Sequence, residues 1–110
     1  MLKMDLEYQN GILFIRLKGN LNRRTKYKFD CYLNPLLEKH KIKKVIYNLS
    51  QLKSVDESGI DAVLKTKCII RRNKGKIYLC EANDFILLKI ARLRIKTTSS
   101  EKIALRLIEV

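Results

Sequence analysis

The segment KKVIYNLS, residues 43–50, constrains the fold most because it is almost continuously apolar. Strands of that composition are buried on both faces, as in a parallel sheet that is covered by helices. A second strand-like segment, KIYLCEA at residues 76–82, follows after a stretch long enough for a crossover helix. We therefore expect an α/β fold in which strands and helices alternate.

The other segments complete an order of two strands, helix, strand, helix, strand and two helices. Residues 5–9 and 12–19 flank Asn10–Gly11, a two-residue hairpin signal, so the first two strands should be antiparallel. Polar or capping residues followed by apolar residues at helical spacing predict helices over residues 26–41, 58–73, 83–94 and 98–109, with Asn83 as the cap of the third and Ser99 or Ser100 at the start of the fourth. Pro35 is expected either to kink the first helix or to begin a second one at Leu36.

Length and charge restrict the class of protein. At 110 residues the chain is expected to form one domain, residues 1–110. Lys and Arg outnumber Asp and Glu by 24 to 11, and the net charge of +13 favours acidic partners. The cations are scattered along the sequence, so nucleic-acid binding is kept only as an alternative. We predict a cytoplasmic protein without membrane insertion, because no apolar run approaches the ~18 residues of a span and no signal-peptide pattern is visible.

Residues that could carry metal or catalytic chemistry are few. Cys31, Cys68 and Cys80 form no CxxC pair and lie within apolar patterns, so they are predicted to be small core residues. His40 is the only histidine and lies in the charged stretch EKHKIKK, which indicates a surface position. The chain contains neither GxxxxGK[ST] nor GxGxxG. We accordingly predict no metal, no cofactor and no catalytic residue.

The stretch KSVDESGIDAVL, residues 53–64, raises the question of what Ser58 does. Ser58 followed by Asp61 matches S-x-x-[DE], a capping box that satisfies free amides at a helix start. A hydroxyl at a helix N-terminus is also a good position for a phosphate, because the amides and the helix dipole stabilise negative charge. The residues themselves leave both interpretations open.

The order of these segments resembles a known family. Residues 45–64, VIYNLSQLKSVDESGIDAVL, resemble the core of STAS domains, particularly of bacterial anti-sigma factor antagonists, in which an apolar strand leads to Asp-Ser-Ser/Thr-Gly-Leu-Gly and a helix. Residues 12–25 resemble the family's second strand and its Gly-Glu-Leu-Asp loop, and residues 75–83 resemble the strand after the motif helix. The resemblance implies a STAS-like mixed sheet of four or five strands with about four helices packed on one face.

The resemblance also implies a function without catalysis. In that family the unphosphorylated antagonist binds an anti-sigma factor, which is a protein kinase, and so frees a sigma factor. The kinase phosphorylates the serine directly after the motif aspartate, which breaks the complex, and a phosphatase resets it. The implied partner is an anti-sigma factor or a similar kinase-like ATPase. By the same resemblance, the partner-binding residues are Asn22, Arg23, Arg24, Thr25, Asp56, Glu57, Ser58, Gly59 and Asp61.

The chain departs from the family at the switch position. Glu57 stands where the family has its phospho-acceptor serine, and Ser58 matches the second Ser/Thr, which is ordinarily not the acceptor. Asn22 replaces the usual Asp of the upstream loop. Three interpretations follow: Glu57 mimics the phosphorylated state, the protein binds without phospho-regulation, or Ser58 has become a substitute acceptor. We favour the second, because a permanently disabled antagonist has little obvious use.

Two alternative functions belong to other classes. The first is a STAS subunit that regulates the ATPase of an ABC transporter, whose family shares an Asp-x-Ala/Ser-Gly element. The second is a basic nucleic-acid-binding module. The lack of stacking aromatic residues in a basic loop argues against this alternative.

Overall fold

The computed structural model describes residues 1–109 and contains one five-stranded sheet in the order β1-β2-β3-β4-β5. The strands β1 and β2 are antiparallel, and every other neighbouring pair is parallel. This arrangement confirms the predicted mixed sheet. The strands are β1 (Leu2–Gln9), β2 (Ile12–Leu21), β3 (Lys44–Val55), β4 (Lys76–Cys80) and β5 (Lys96–Thr98).

Four α-helices accompany the sheet, as predicted. A short π-helical segment, Phe29–Leu33, leads directly into the first α-helix, in which Pro35 occupies the first turn, where its missing N–H is tolerated. Asn83 and Ser100 cap the last two helices through their side chains, which confirms two predicted starts. The α-helices are α1 (Asn34–Lys39), α2 (Glu57–Arg72), α3 (Asp84–Ile90) and α4 (Glu101–Ile108).

The helices cover both faces of the sheet, so the expectation that all four pack on one face is wrong for α4. The larger core lies between one face and the apolar sides of α1, α2 and α3. On the other face Ile12, Phe14 and Ile46 form a separate core with Ala104 and Ile108 of α4. The physical reason lies in the strands, which are apolar on both faces and therefore need a cover on each.

Two segments of the sheet were only partly anticipated. β3 continues five residues beyond the predicted end at Ser50, because Leu52 and Val55 remain buried and pair alongside β2. Two register shifts in β2 accompany this extension, between Arg16 and Lys18 and between Gly19 and Asn20. β5 was absent from the predicted order of elements because three residues are too short for a recognisable pattern.

The prediction that all three cysteines belong to the core is correct only for Cys80. Cys31 and Cys68 are exposed. The buried stripe of α2 runs through Val63, Thr66 and Ile70, which leaves Cys68 on the exposed flank of the helix. A polar residue thus occupies a core position that the apolar pattern alone did not indicate.

Thr66 belongs to a buried polar chain that joins three elements. The Tyr47 hydroxyl of β3 donates to Thr66 Oγ1 at 2.9 Å, and Thr66 Oγ1 donates to Asn34 Oδ1 of α1 at 2.9 Å. Tyr47 and Thr66 are fully buried, and burial raises the pKa of the tyrosine above its usual value. The tyrosine is therefore a neutral donor at physiological pH.

Candidate functional site

The loop after β2 lies beside the start of α2 because β2 and β3 end together. Leu21 pairs with Val55 across the two strands, and the Asp56 amide donates to the Leu21 carbonyl at 3.1 Å. Residues 22–25 and residues 56–61, which the sequence resemblance grouped into one surface, are thus adjacent at the carboxyl ends of parallel strands. Open α/β sheets usually carry their binding sites at that edge.

Asp56 connects the two segments through one carboxylate. Its Oδ1 atom accepts a hydrogen bond from the Gly59 amide at 2.9 Å, and its Oδ2 atom accepts one from the Arg23 amide at 3.2 Å. Asp56 is therefore the N-cap of α2, and the predicted cap at Ser58 is wrong by two residues. Asp and Ser are both good caps, and Asp56 takes the position because its extended backbone directly follows β3.

Gly59 allows the helix to approach β2 closely. A Cβ atom at this position would lie 2.6 Å from the Leu21 carbonyl oxygen and 2.9 Å from Val55 Cγ2. Real side chains do not tolerate such distances, so any larger residue pushes α2 away from the strand ends. Gly59 thus sets the spacing between the loop and the helix.

Asn22 and Thr25 hold the shape of the loop. Asn22 Oδ1 accepts hydrogen bonds from the Arg24 amide at 2.9 Å and the Thr25 amide at 3.2 Å. The Thr25 hydroxyl donates to the Asn20 carbonyl at 2.8 Å and is largely buried. Both polar side chains are occupied by the loop itself, whereas Arg23 and Arg24 are exposed.

Glu57 projects from the first turn of α2 and pairs with Arg92. The Glu57 side chain is 77% exposed, and its carboxylate accepts a hydrogen bond from Arg92 Nη2 in the turn after α3. A carboxylate in the first turn of a helix also interacts favourably with the helix dipole. Sequence reasoning missed Arg92, since no local pattern connects two residues that are 35 positions apart.

Ser58 and Asp61 complete the exposed part of the helix start. Ser58 is half-buried and Asp61 is exposed. A shallow depression of about 510 Å³ separates the loop from the helix, and Asp61 lies outside it. The depression is lined by Asn22, Arg23, Arg24, Asp56, Glu57 and Ser58.

The chemistry of this site suits docking better than catalysis. His40, the only histidine, lines a different cleft together with Leu6 and Tyr8, so it is not available as a base for Ser58. What the site offers is a rigid backbone frame that presents two arginines and two carboxylates to solvent. Exposed charges of both signs give specificity and fast association in protein interfaces.

A second polar cluster fastens α4 to the opposite face of the sheet. Arg16 donates from Nε and Nη2 to the two carboxylate oxygens of Glu101 at 2.8 and 2.9 Å, and Asn48 Nδ2 donates to Glu101 at 2.7 Å. Asn48 also donates to Glu81 at 3.0 Å. The hydrogen bonds from Arg16 lower the pKa of Glu101, whereas burial raises the pKa of Cys80 to about 12.

The same cluster includes the one group of potential metal ligands among residues 1–109. Ligand atoms of Cys80, Glu81 and Glu101 lie within 4.8 Å of one another. The Cys80 thiol is protonated at neutral pH, and the Glu101 carboxylate is already bound by Arg16. We therefore interpret the cluster as a clamp for α4.

Comparison with known proteins agrees with the fold. The anti-sigma F factor antagonist of Paenibacillus polymyxa is 23% identical over 82 residues, which cover 74% of this chain and 70% of that protein. The Bacillus protein SpoIIAA in its unphosphorylated form superimposes with a TM-score of 0.80 at 18% identity, over 97% of this chain and 98% of SpoIIAA. The phosphorylated form of SpoIIAA superimposes with a TM-score of 0.72.

The fold also occurs within a much larger protein. The chain superimposes on 18% of the murine solute carrier 26 family member A9 anion transporter, with a TM-score of 0.77 and 15% identity over 94% of this chain. In residues 1–109 no helix has the length and apolar character needed to cross a membrane. The family model of the STAS domain matches residues 3–107, and the chain therefore belongs to the STAS domain family.

Proposed function

We propose that this chain is a cytoplasmic, non-enzymatic binding protein of one domain, residues 1–110, that docks an anti-sigma factor of the serine-kinase type and so releases a sigma factor. The observation that carries the proposal is the bridge through Asp56, which holds the loop at residues 22–25 against the start of α2. The relatedness to an anti-sigma F factor antagonist and the likeness to SpoIIAA support the class of partner.

The docking surface consists of a frame and of groups that face the partner. Asn22, Thr25, Asp56 and Gly59 form the frame, since their polar atoms or their small size serve the local backbone. Arg23, Arg24, Glu57, Ser58 and Asp61 face outward and contact the partner. Exposed charges of this kind govern association rate and partner choice more than total affinity.

Glu57 fits a member of the family that binds without phosphate control. Phosphoserine carries about two negative charges, whereas one carboxylate carries a single charge. Here that charge is already paired with Arg92 on the same chain. The partner therefore meets a nearly neutral ion pair at the switch position, which makes Glu57 a weak mimic of a phosphate.

The docking surface is tested by charge reversal. The variant Arg24→Glu/Asp61→Lys should weaken binding to the cognate anti-sigma factor at least about tenfold in calorimetry, because two complementary contacts become repulsive. The matched control Lys3→Glu/Asp5→Lys exchanges one exposed charge of each sign on β1 and should leave binding unchanged. Equal affinities for both variants would show that the docking surface lies elsewhere.

The role of Glu57 is tested by restoring a serine. Loss of an exposed ion pair costs about 0–1 kcal/mol, so Glu57→Ser should change the affinity for the anti-sigma factor less than about fivefold. A phosphate mimic predicts instead that Glu57→Ser binds far more tightly. The two interpretations therefore differ in the size of one measured affinity change.

The substitute-acceptor interpretation is tested separately by incubation with the cognate kinase and ATP. Mass spectrometry should find no phosphate at Ser58 of the natural chain, while Glu57→Ser should gain phosphate at residue 57. Phosphate at Ser58 would overturn the proposal of binding without phosphate control. Capture of an ABC-transporter ATPase in place of the anti-sigma factor would assign the chain to the transport class.

A further inference from the structure

Part of the excess positive charge gathers at one end of the sheet once the chain is folded. β3, β4 and β5 begin at this end and α2 finishes there, so cations that are far apart in sequence become neighbours. Lys44 of β3 lies opposite Lys76 of β4 in the sheet, and the Lys43 carbonyl accepts a hydrogen bond from the Lys76 amide at 2.7 Å. We call this surface the basic end and define it as Lys43, Lys67, Arg71, Lys76, Arg94 and Lys96.

Five residues of the basic end surround one concavity of about 300 Å³, and no carboxylate among the described residues lines it. Arg71, Arg94 and Lys96 are exposed and form no ion pair with any residue between 1 and 109. Lys67 donates to the Leu93 carbonyl at 2.8 Å, which fixes its ammonium group on one wall. The concavity therefore presents a group of positive charges, of which that of Lys67 is held in place.

The acidic residues do little to neutralise this end. Asp56, Glu57, Asp84 and Glu101 lie at the starts of helices. Glu38 pairs with Arg72 at 3.9 Å, and Glu109 follows α4, which finishes at the same end of the sheet as α2, but neither carboxylate forms an ion pair with a residue of the basic end. Clustered like charges repel one another, and a bound polyanion relieves that repulsion.

The groups between the cations restrict the kind of anion. Of the apolar side chains that line the concavity, Tyr78 and Ile95 are only 7% and 8% exposed and Ile77 is half-buried, so they offer no stacking platform for unpaired bases and little apolar surface to anchor in a lipid bilayer. Contacts from Lys and Arg to phosphate groups need no such side chains. The surface thus suits phosphate groups better than unpaired bases or a bilayer.

We propose that the basic end binds the phosphate backbone of a nucleic-acid duplex without sequence preference. The molecule measures 31 Å in its longest dimension, so it can cover at most on the order of nine base pairs at ~3.4 Å each. Binding is electrostatic and displaces counterions, which makes it steeply dependent on salt. The inference is independent of the proposed docking function, because that function uses the opposite ends of the parallel strands.

Fluorescence anisotropy with labelled duplexes of about 20 base pairs, one of DNA and one of RNA, tests the proposal. The variant Lys43→Gln/Arg71→Gln/Lys96→Gln removes three exposed charges of the basic end. The control Lys3→Gln/Lys18→Gln/Lys102→Gln removes three exposed charges elsewhere. Lys18 of the control lies about 20 Å along the sheet from the basic end, at ~3.3 Å per residue.

Loss of three phosphate contacts should weaken duplex binding at least about tenfold and reduce the salt slope by about 3. The control should change the affinity less than about threefold, and circular dichroism should show that both variants fold. An equal loss of affinity in both variants would show that only the net charge matters and would overturn the proposal. It is also overturned if the natural chain binds phosphatidylserine vesicles or single strands more tightly than duplexes, or if it binds no duplex at low salt.

Discussion

The buried chain of hydrogen bonds from Tyr47 through Thr66 to Asn34 permits a quantitative prediction. In the variant Thr66→Val a methyl group replaces the hydroxyl at nearly constant volume, so cavity formation contributes little. The Tyr47 hydroxyl then loses its acceptor, and Asn34 Oδ1 loses its donor. All three side chains are at least nine-tenths buried, so water does not readily replace the missing partners.

The magnitude follows from the number of orphaned groups. Each unsatisfied buried polar group costs about 1–3 kcal/mol, so the two orphaned groups of Thr66→Val should lower the free energy of unfolding by about 2–6 kcal/mol. Tyr47→Phe removes one hydrogen bond but leaves the bond from Thr66 to Asn34 intact, and it should cost about 1 kcal/mol. Thr66→Ser keeps the hydroxyl and should also cost about 1 kcal/mol, for the lost methyl group.

Urea denaturation followed by circular dichroism measures these differences, and Thr66→Val should also lower the melting temperature by about 10 °C. The double variant Tyr47→Phe/Thr66→Val is the sharper test, because removal of the tyrosine hydroxyl leaves only Asn34 unsatisfied. Its cost should fall short of the sum of the single costs by at least about 0.5 kcal/mol. Strict additivity, or a cost of Thr66→Val below that of Thr66→Ser, would refute the reasoning.

Three further predictions concern the cap, the close approach at Gly59 and the clamp on α4. Asp56→Ala should lower the free energy of unfolding by about 1 kcal/mol, while Ser58→Ala should change it by less than about 0.5 kcal/mol. If urea titrations show the larger loss for Ser58→Ala, Ser58 and not Asp56 is the cap. Gly59→Ala should lower the free energy of unfolding by about 1–3 kcal/mol through overpacking against Leu21 and Val55. An unchanged free energy would show that the start of α2 can shift to make room for a methyl group. Because the pKa of Glu101 is lowered in the folded protein, its stabilisation is present above the unfolded value of 4.5 and is lost as the pH falls through the folded value. The urea midpoints of the natural chain and of Glu101→Gln should therefore converge as the pH falls below 4.5 and through the lowered pKa of Glu101, and a constant gap would contradict the linkage.

Local patterns predicted the elements with strong periodicity and failed where tertiary contacts decide. The hairpin at Asn10–Gly11 and the caps at Asn83 and Ser100 follow from short-range chemistry and were predicted correctly. Cys68 of α2 was wrongly assigned to the core, whereas Thr66 is buried for its hydrogen bonds rather than for hydrophobicity. The placement of α4 depends on contacts with the distant residues Arg16 and Asn48.

The candidate site shows the same division. Segment order and family resemblance were sufficient to place the loop at residues 22–25 beside the motif helix. The roles of individual residues could be assigned only from the structure, because it shows that Asn22 and Thr25 use their polar atoms for hydrogen bonds within the loop. Arg92 reaches Glu57 from another helix, and no reading of residues 53–64 alone contains that contact.

The two ends of the sheet explain together how a chain of charge +13 can be nearly neutral at the proposed docking surface. Helices that start beside the carboxyl ends of the strands bring Asp56, Glu57 and Asp61 to one end, where they balance Arg23 and Arg24. Basic residues concentrate where α2 finishes, and there they suit the negative pole of the helix dipole. Charge at the basic end therefore has little effect on a partner at the other end. The two ends are about 20 Å apart along the sheet, whereas the Debye length at physiological salt is ~8 Å. Neutralising the basic end should accordingly leave the affinity for the anti-sigma factor unchanged while duplex binding falls, and a parallel loss of both would refute the separation of the two surfaces.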